Sequence, residues 1–295
     1  MLGASIMPRN LQAPAKCRLD HLLVKRGLFP DLRCAQAWII NGKIVVDEKV
    51  ISKLGFSIHH DAKVLIRGYR LAYASRGGYK LARALNRFDL SVQGAICLDA
   101  GASAGGFTDC LLQRGASFVY AVETGYGQLR GRLAGDPRVR NLERINLSDV
   151  KRTALEPAIN MAVADLSYLS LRTAIPLIKD LFSSEDYRIL FLIKPLYEGL
   201  QQGSVGDVDA IHEVLRRLFT DLLEEGIGLR DACVSPITGG RGAVEFFAWA
   251  DAQAPTVSAL ELAHRAILEA SSAPPLAFED YISRIPIELT PSVCD

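Results

Sequence analysis

Four charged residues each close an apolar run: Asp99 after the run that starts at Ala95, Glu123 after Val119-Tyr120-Ala121-Val122, Asp165 after the run from Asn160, and Lys194 after Arg188-Ile189-Leu190-Phe191-Leu192-Ile193. Glu245 is the one charge amid apolar neighbours between Ala243 and Trp249, and Lys80 follows the pair Gly77-Gly78. Charges brought into a protein interior need partners, and the simplest pairing sets Lys194 against Asp165 and Lys80 against Glu245. Glu123 suggests a separate chemistry. A carboxylate at the end of the strand that follows a glycine turn can accept both hydroxyl protons of a ribose diol.

The turn in question is Asp99-Ala100-Gly101-Ala102-Ser103-Ala104-Gly105-Gly106-Phe107. A strand entering such a turn and a helix leaving it form a cradle where backbone approaches a ligand closely. By itself the turn fits dinucleotide oxidoreductases, S-adenosylmethionine (SAM) methyltransferases, and hydrolases whose Gly-x-Ser-x-Gly elbow is matched by Gly101 to Gly105, with Ser103 as nucleophile. Only His212 and His264 lie downstream to complete a hydrolase triad, and the charged strand ends would then have no task. An oxidoreductase would leave Lys80 idle as well.

Positioning these residues falls to strands that alternate with helices. Further strands are expected near Ala232 to Val234 and from Ala243 to Trp249, and a long amphipathic helix capped by Asp207 carries Val214, Leu215, Leu218, Leu222 and Leu223. Alternation of this kind predicts an α/β fold with a doubly wound, mostly parallel sheet. Ligands of such sheets bind outside the carboxyl ends of the strands, where Asp99, Glu123, Asp165 and Lys194 all fall. The glycine pair before Lys80 is expected to break any helix there, placing Lys80 at a helix start with Leu81, Leu85 and Phe88 on its apolar face.

The 295 residues suffice for a large α/β domain and a small one. Six scattered cysteines, without a Cys-x-x-Cys pair or clustered histidines, suggest neither a metal site nor a disulfide framework and fit a reducing cytoplasm. No apolar run is long enough to cross a membrane, and residues 1–16 lack the pattern of a signal peptide. A monomer is expected. The charge is unevenly spread: Lys16 to Arg70 hold eleven Lys/Arg against five Asp/Glu, whereas the chain from Leu71 onward is net acidic by six. A small basic module on an acidic larger one suggests a polyanion partner.

Within that basic module, Arg18-Leu19-Asp20, Leu22 to Gly27, Ala35-Gln36-Ala37 and Asn41-Gly42-Lys43-Ile44-Val45-Val46 resemble the S4 domain, a small RNA-binding α+β module. The resemblance implies that Arg18, Lys25, Arg26, Arg33 and Lys43 meet phosphates of a folded RNA. Two helices, the second capped by Asp31, and short strands at 44–46, 50–51 and 64–66 are the elements expected.

From Arg18 to about Trp249 the chain resembles the TlyA family, historically labelled haemolysin A: an S4 domain followed by an FtsJ-like, SAM-dependent ribosomal RNA 2′-O-methyltransferase. The residues that carry the likeness are Ser75-Arg76-Gly77-Gly78-Tyr79-Lys80-Leu81, Leu98 to Leu112, Gly125-Tyr126-Gly127-Gln128-Leu129, Asp165-Leu166-Ser167-Tyr168, Lys194-Pro195 and Val244-Glu245-Phe246. The resemblance implies a Rossmann-like class I methyltransferase fold, a catalytic tetrad of Lys80, Asp165, Lys194 and Glu245, and methylation of cytidine in rRNA or a ribosomal subunit. It also implies SAM held by Asp99, Gly101, Ser103, Gly105, Gly106, Phe107, Glu123 and Asp165, with Arg76 added to the RNA contacts. Two departures stand out. The family's ribose acid is more often Asp where this chain has Glu123, and Leu196-Tyr197-Glu198 replace a usual Gln-Phe-Glu.

The expected organisation is an arm (1–15), an S4-like domain (16–69), a linker (70–79), the methyltransferase domain (80–251) and an extension of no assigned role (252–295). A ribose hydroxyl is a poor nucleophile near neutral pH, so an amine must take its proton, and Lys194 is the expected base, oriented by Asp165 and Glu245 with Lys80 as second cation. The alternatives are an RNA-binding or assembly factor on an inactive methyltransferase fold and, from the old family label, a membrane-lytic protein, for which the chain offers no spanning or strongly amphipathic segment.

Overall fold

The computed structural model describes residues 16–282 except 27, 30, 61, 63, 67–71 and 256. The arm at 1–15, the helix stop expected at Gly27 and the first residues of the linker lie outside the described residues. The chain divides into two compact units, with the break after Arg70.

The first unit runs through β1 (Lys16–Arg18), α1 (Leu19–Lys25), α2 (Leu32–Ile40), β2 (Ile44–Val46), β3 (Lys49–Ile51), β4 (Ser57–His59) and β5 (Val64–Ile66). β2 is the centre of an antiparallel sheet ordered β3-β2-β5, and β1 pairs with β4. Asp31 caps α2 as expected, its side chain accepting the Cys34 N–H at 2.8 Å. Leu19, Leu22 and Leu23 from α1 meet Ala35, Trp38 and Ile39 from α2 over Ile44 and Val46. The β1–β4 pair was not anticipated, because its two three-residue strands contain no apolar run.

The second unit is built on seven strands: β6 (Ile96–Ala100), β7 (Phe118–Glu123), β8 (Val139–Glu143), β9 (Met161–Ala164), β10 (Arg188–Ile193), β11 (Leu229–Val234) and β12 (Phe246–Asp251). They are ordered β11-β12-β10-β9-β6-β7-β8, parallel except for β12, which runs antiparallel to both neighbours. This is the doubly wound, mostly parallel sheet the sequence predicts. Strand residues divide by alternation between its faces. Leu98, Tyr120, Ala162 and Phe191 pack on one side with α6 (Leu171–Lys179), α7 (Val208–Glu224) and α8 (Ala259–Ser272). Cys97, Val119, Val163 and Leu190 pack on the other with α3 (Arg76–Arg87), α4 (Gly106–Gln113) and Leu133 of the short α5 (Gly131–Ala134). Burial on both faces explains why these strands read as continuous apolar runs.

Two sequence expectations change here. The extension from residue 252 contributes α8, whose Leu262, Ala263 and Ala266 are core residues against α7 and β11, so this part is integral to the fold. The pair Gly77-Gly78 does not break a helix; it lies in the first turn of α3, which Ser75 caps by accepting the Gly77 N–H at 3.3 Å. Residues 76–79 of the stretch read as linker are therefore helical.

Candidate active site

The β6–α4 turn follows the strand's carboxyl end, as expected. Gly101 takes φ +87°, a conformation costly for residues with a Cβ, and a Cβ there would also stand 2.5 Å from the Asp165 carbonyl oxygen. Ser103 has φ +47° and its N–H donates to Glu123 Oε2 at 2.9 Å, while its hydroxyl lies 3.2 Å from Gln128 Oε1. At the start of α4 a Cβ on Gly106 would meet Ser75 Oγ at 2.1 Å, and one on Gly78 would meet the Gly106 carbonyl oxygen at 2.8 Å. Close approach of the two helix starts is what requires glycine on both sides. It carries α3, and Lys80 with it, to the turn.

A cleft of about 400 Å³ opens beside this turn, lined among others by Lys80, Asp165, Lys194 and Glu245. That volume lies within the range of about 300 to 1,000 Å³ usual for small-molecule sites. Both charge pairs expected from the sequence are present. Lys80 Nζ and Glu245 Oε2 form a very close ion pair, the two residues only 3% and 5% exposed. Lys194 Nζ lies 2.6 Å from Asp165 Oδ1 and donates a hydrogen bond of 2.7 Å to Ser167 Oγ. Asp165 Oδ1 pairs with Nζ electrostatically, while the hydrogen bond that meets directional geometry goes to Ser167. Tyr197 sets its ring 5.6 Å from the same Nζ. Neither Ser167 nor Tyr197 is among the site residues expected from the sequence, although Ser167 belongs to the Asp165-Leu166-Ser167-Tyr168 stretch that carries the likeness and Tyr197 to the stretch that departs from it.

Of the residues expected at a cofactor, Gly101, Ser103, Gly106, Phe107 and Asp165 line the cleft. Gly105 is the residue just before α4, with φ +88°. Glu123 is held at the end of β7 by the Ser103 and Gly125 N–H groups, at 2.9 and 2.7 Å. One carboxylate thus bridges the turn after β6 and the loop after β7. Asp99 departs from expectation. It is fully buried beneath the turn, accepts from Thr108 Oγ1 at 2.6 Å, and does not reach the cleft wall. Burial pushes its carboxyl up to about 7, against the pull of the Thr108 hydroxyl. Asp99 therefore supports the start of α4 from beneath the turn, outside the cleft lining.

Glu198 accepts the Leu171 N–H at 2.9 Å and the Ser170 hydroxyl at 2.7 Å, so it closes the start of α6 and lies away from the cleft lining. Buried Cys97, Cys110 and Cys233 have thiols pushed up to about 12 by desolvation, which leaves them inert as nucleophiles. Among the described residues no cluster of His, Cys, Asp or Glu could hold a metal ion, and no helix is long and apolar enough to cross a membrane.

The basic residues of the first unit sort into two kinds. Arg18 donates to both carboxylate oxygens of Asp20, at 3.1 and 2.6 Å, and holds that carboxyl well below the usual range. Arg26 donates to the His60 and Ala62 carbonyl oxygens at 2.8 and 3.0 Å. Both are thus occupied within the unit. Of the other cations expected at RNA, Lys25, Arg33 and Lys43 make no side-chain hydrogen bond or ion pair among the described residues and stay free to meet an anion. Arg76, in the second unit, lines the cleft.

Residues 73–252 match the FtsJ-like methyltransferase family. The 16S/23S rRNA (cytidine-2′-O)-methyltransferase TlyA of Mycobacterium tuberculosis is 37% identical over 268 residues, covering 86% of this chain and 98% of the relative. Hemolysin A of Brachyspira hyodysenteriae is 32% identical over 238 residues, covering 78% and 98%. A solved structure from Streptococcus thermophilus, described as a candidate hemolysin, superposes with a TM-score of 0.65 at 31% identity, covering 88% of this chain and 98% of its own.

Proposed function

The chain belongs to the FtsJ-like methyltransferase family, and from that premise we propose that it methylates the 2′-hydroxyl of a ribose in ribosomal RNA, at cytidine, using SAM. The observation that carries this reading is the meeting of two lysine–carboxylate pairs, Lys80–Glu245 and Lys194–Asp165, in one cleft beside a glycine turn. The glycine turn supports the cofactor's part in it: Gly101, Ser103 and Gly106 line the cleft with their backbone, and glycine at 101 lets the turn pass the Asp165 carbonyl oxygen, which a Cβ would strike. Glu123, at the end of β7, is suited to a ribose diol. When bound, SAM would supply a methyl group made electrophilic by a sulfonium.

The chain's own residues would do the rest. Lys194 Nζ, as the unprotonated amine, accepts the proton of the attacking hydroxyl; Ser167 aims Nζ and Asp165 stabilises the ammonium that forms. The buried Lys80–Glu245 pair lines the same cleft and sets the local field. Holding two substrates in line while excluding water accounts for much of the remaining rate. The first unit serves as an S4-like RNA-binding domain whose Lys25, Arg33 and Lys43 meet phosphates, with Arg76 beside the reacting nucleotide. Work on ribosomal RNA or a ribosomal subunit is work in the cytoplasm.

Mapping 2′-O-methylation on rRNA incubated with the protein and SAM tests the proposal. Lys194→Ala is expected to lower transfer by about 10²- to 10⁴-fold while retaining RNA binding. Undetectable transfer by the wild type on rRNA and subunits alike would instead support an RNA-binding factor on an inactive fold.

A further inference from the structure

The second unit continues past the region matched to the family, which ends at residue 252. Beyond α8 and the rigid pair Pro274-Pro275, the backbone of Leu276 pairs in parallel with Ile237. Its N–H donates to the Pro236 carbonyl oxygen at 3.0 Å, and its own carbonyl oxygen accepts the Thr238 N–H at 2.9 Å. Two residues later the Phe278 ring packs against Tyr79, centroids 5.8 Å apart.

Both contacts lead to one place. The segment that Leu276 grips belongs to a closed loop: the Ser235 N–H donates to the Glu245 carbonyl oxygen at 2.8 Å and the Gly239 N–H to that of Ala243 at 2.7 Å. Gly239 lies directly against the Glu245 carboxylate, where a Cβ would stand 2.1 Å from Oε1. A shift of 236–239 therefore shifts Glu245. Tyr79 precedes Lys80 in α3, is buried, and is braced edge-on by Tyr73 at 5.0 Å while its hydroxyl accepts the Ala72 N–H at 2.8 Å. Lys80 and Glu245 are 165 residues apart in sequence, and a buried ion pair is stable only in accurate geometry.

We infer that residues 276–278 form a strap that aligns the Lys80–Glu245 pair from behind, with Leu276 and Phe278 as positioning residues for methyl transfer. The inference rests on the role proposed above for that pair. The strap grips the elements that carry both partners, residues 236–238 and Tyr79, from one short segment, so a change at either of its ends reaches the pair through those neighbours.

Three variants test it: Phe278→Ala, Leu276→Pro, which removes the N–H given to Pro236, and Phe278→Tyr, which keeps the ring. In the first two, amide exchange in 76–80 and 236–245 is expected to accelerate tenfold or more while β6, β9 and β10 keep their protection. SAM affinity stays within twofold of wild type, single-turnover methyl transfer falls tenfold or more, and Phe278→Tyr behaves as wild type in every readout. Unchanged exchange in the two segments overturns the strap, as does loosening of the whole sheet with SAM binding lost in proportion to rate. If the wild type transfers no methyl group to any rRNA, the proposed function fails, and the exchange measurement still decides the strap.

Discussion

Lys194 and Asp165 stand at the carboxyl ends of the neighbouring parallel strands β10 and β9, with Nζ 2.6 Å from Oδ1. Adjacent strands bring their terminal side chains together whatever the length of chain between them. Here that juxtaposition sets an amine beside a carboxylate while Ser167, two residues past Asp165, takes the directed hydrogen bond.

Ser167→Ala removes the group that aims Nζ. A hydrogen bond to a charged partner contributes about 1.5 to 3 kcal/mol, so single-turnover transfer should fall by about ten- to a hundredfold. SAM and RNA affinities, measured by calorimetry and filter binding, should stay within twofold. A rate equal to wild type would show that Asp165 alone orients the base.

Removing one member of the buried pair strands the other. Lys80→Met or Glu245→Gln should each cost about 3 to 5 kcal/mol in urea unfolding, and the double variant should cost less than the sum of the two. All three should lose methyl transfer. Additive costs in the double-mutant cycle would mean that the pair does not interact in solution.

The cations of the first unit should separate by role. Arg26→Ala deprives two carbonyl oxygens of their donor and should lower thermal stability. Lys43→Ala should leave stability unchanged, weaken RNA binding and reduce the slope of log affinity against log salt by about one. SAM affinity should be unaffected in both. Interchanged outcomes would reverse the assignment.

Asp99 should make stability depend on pH. Its folded carboxyl, at about 7, keeps a proton that the unfolded chain releases near pH 4. The folded state then binds more protons between those values, so Asp99's contribution is fully present below about pH 4 and is lost as pH rises through 7. Chemical denaturation of the ligand-free protein should show the wild type losing more stability than Asp99→Asn between pH 4 and 8. Equal losses would mean that Asp99 ionises in the folded state over the same pH range as in the unfolded chain.

Much of the site was legible because strand ends in a parallel sheet are predictable places. The apolar runs ending in Asp99, Glu123, Asp165 and Lys194 read as parallel strands, and their shared edge follows. Other elements escaped for physical reasons. β8, Val139–Glu143, is an edge strand without a fully buried residue and shows no apolar run. The first turn of α3 reads as a helix breaker because the intrinsic cost of Gly77-Gly78 is visible in sequence, whereas the close approach of Gly106 that offsets it is not.

The sequence by itself determined the alternating architecture, the glycine turn, the pairing of Lys194 with Asp165 and Lys80 with Glu245, and the basic character of the first unit. These follow from residue type and local period alone. Only the tertiary structure decided that Asp99 lies beneath the turn, that Arg18 and Arg26 are occupied by internal partners, and that Leu276 and Phe278 reach the two elements holding Lys80 and Glu245. Those outcomes depend on which distant groups compete for the same donors, acceptors and space, and local sequence carries no record of that competition.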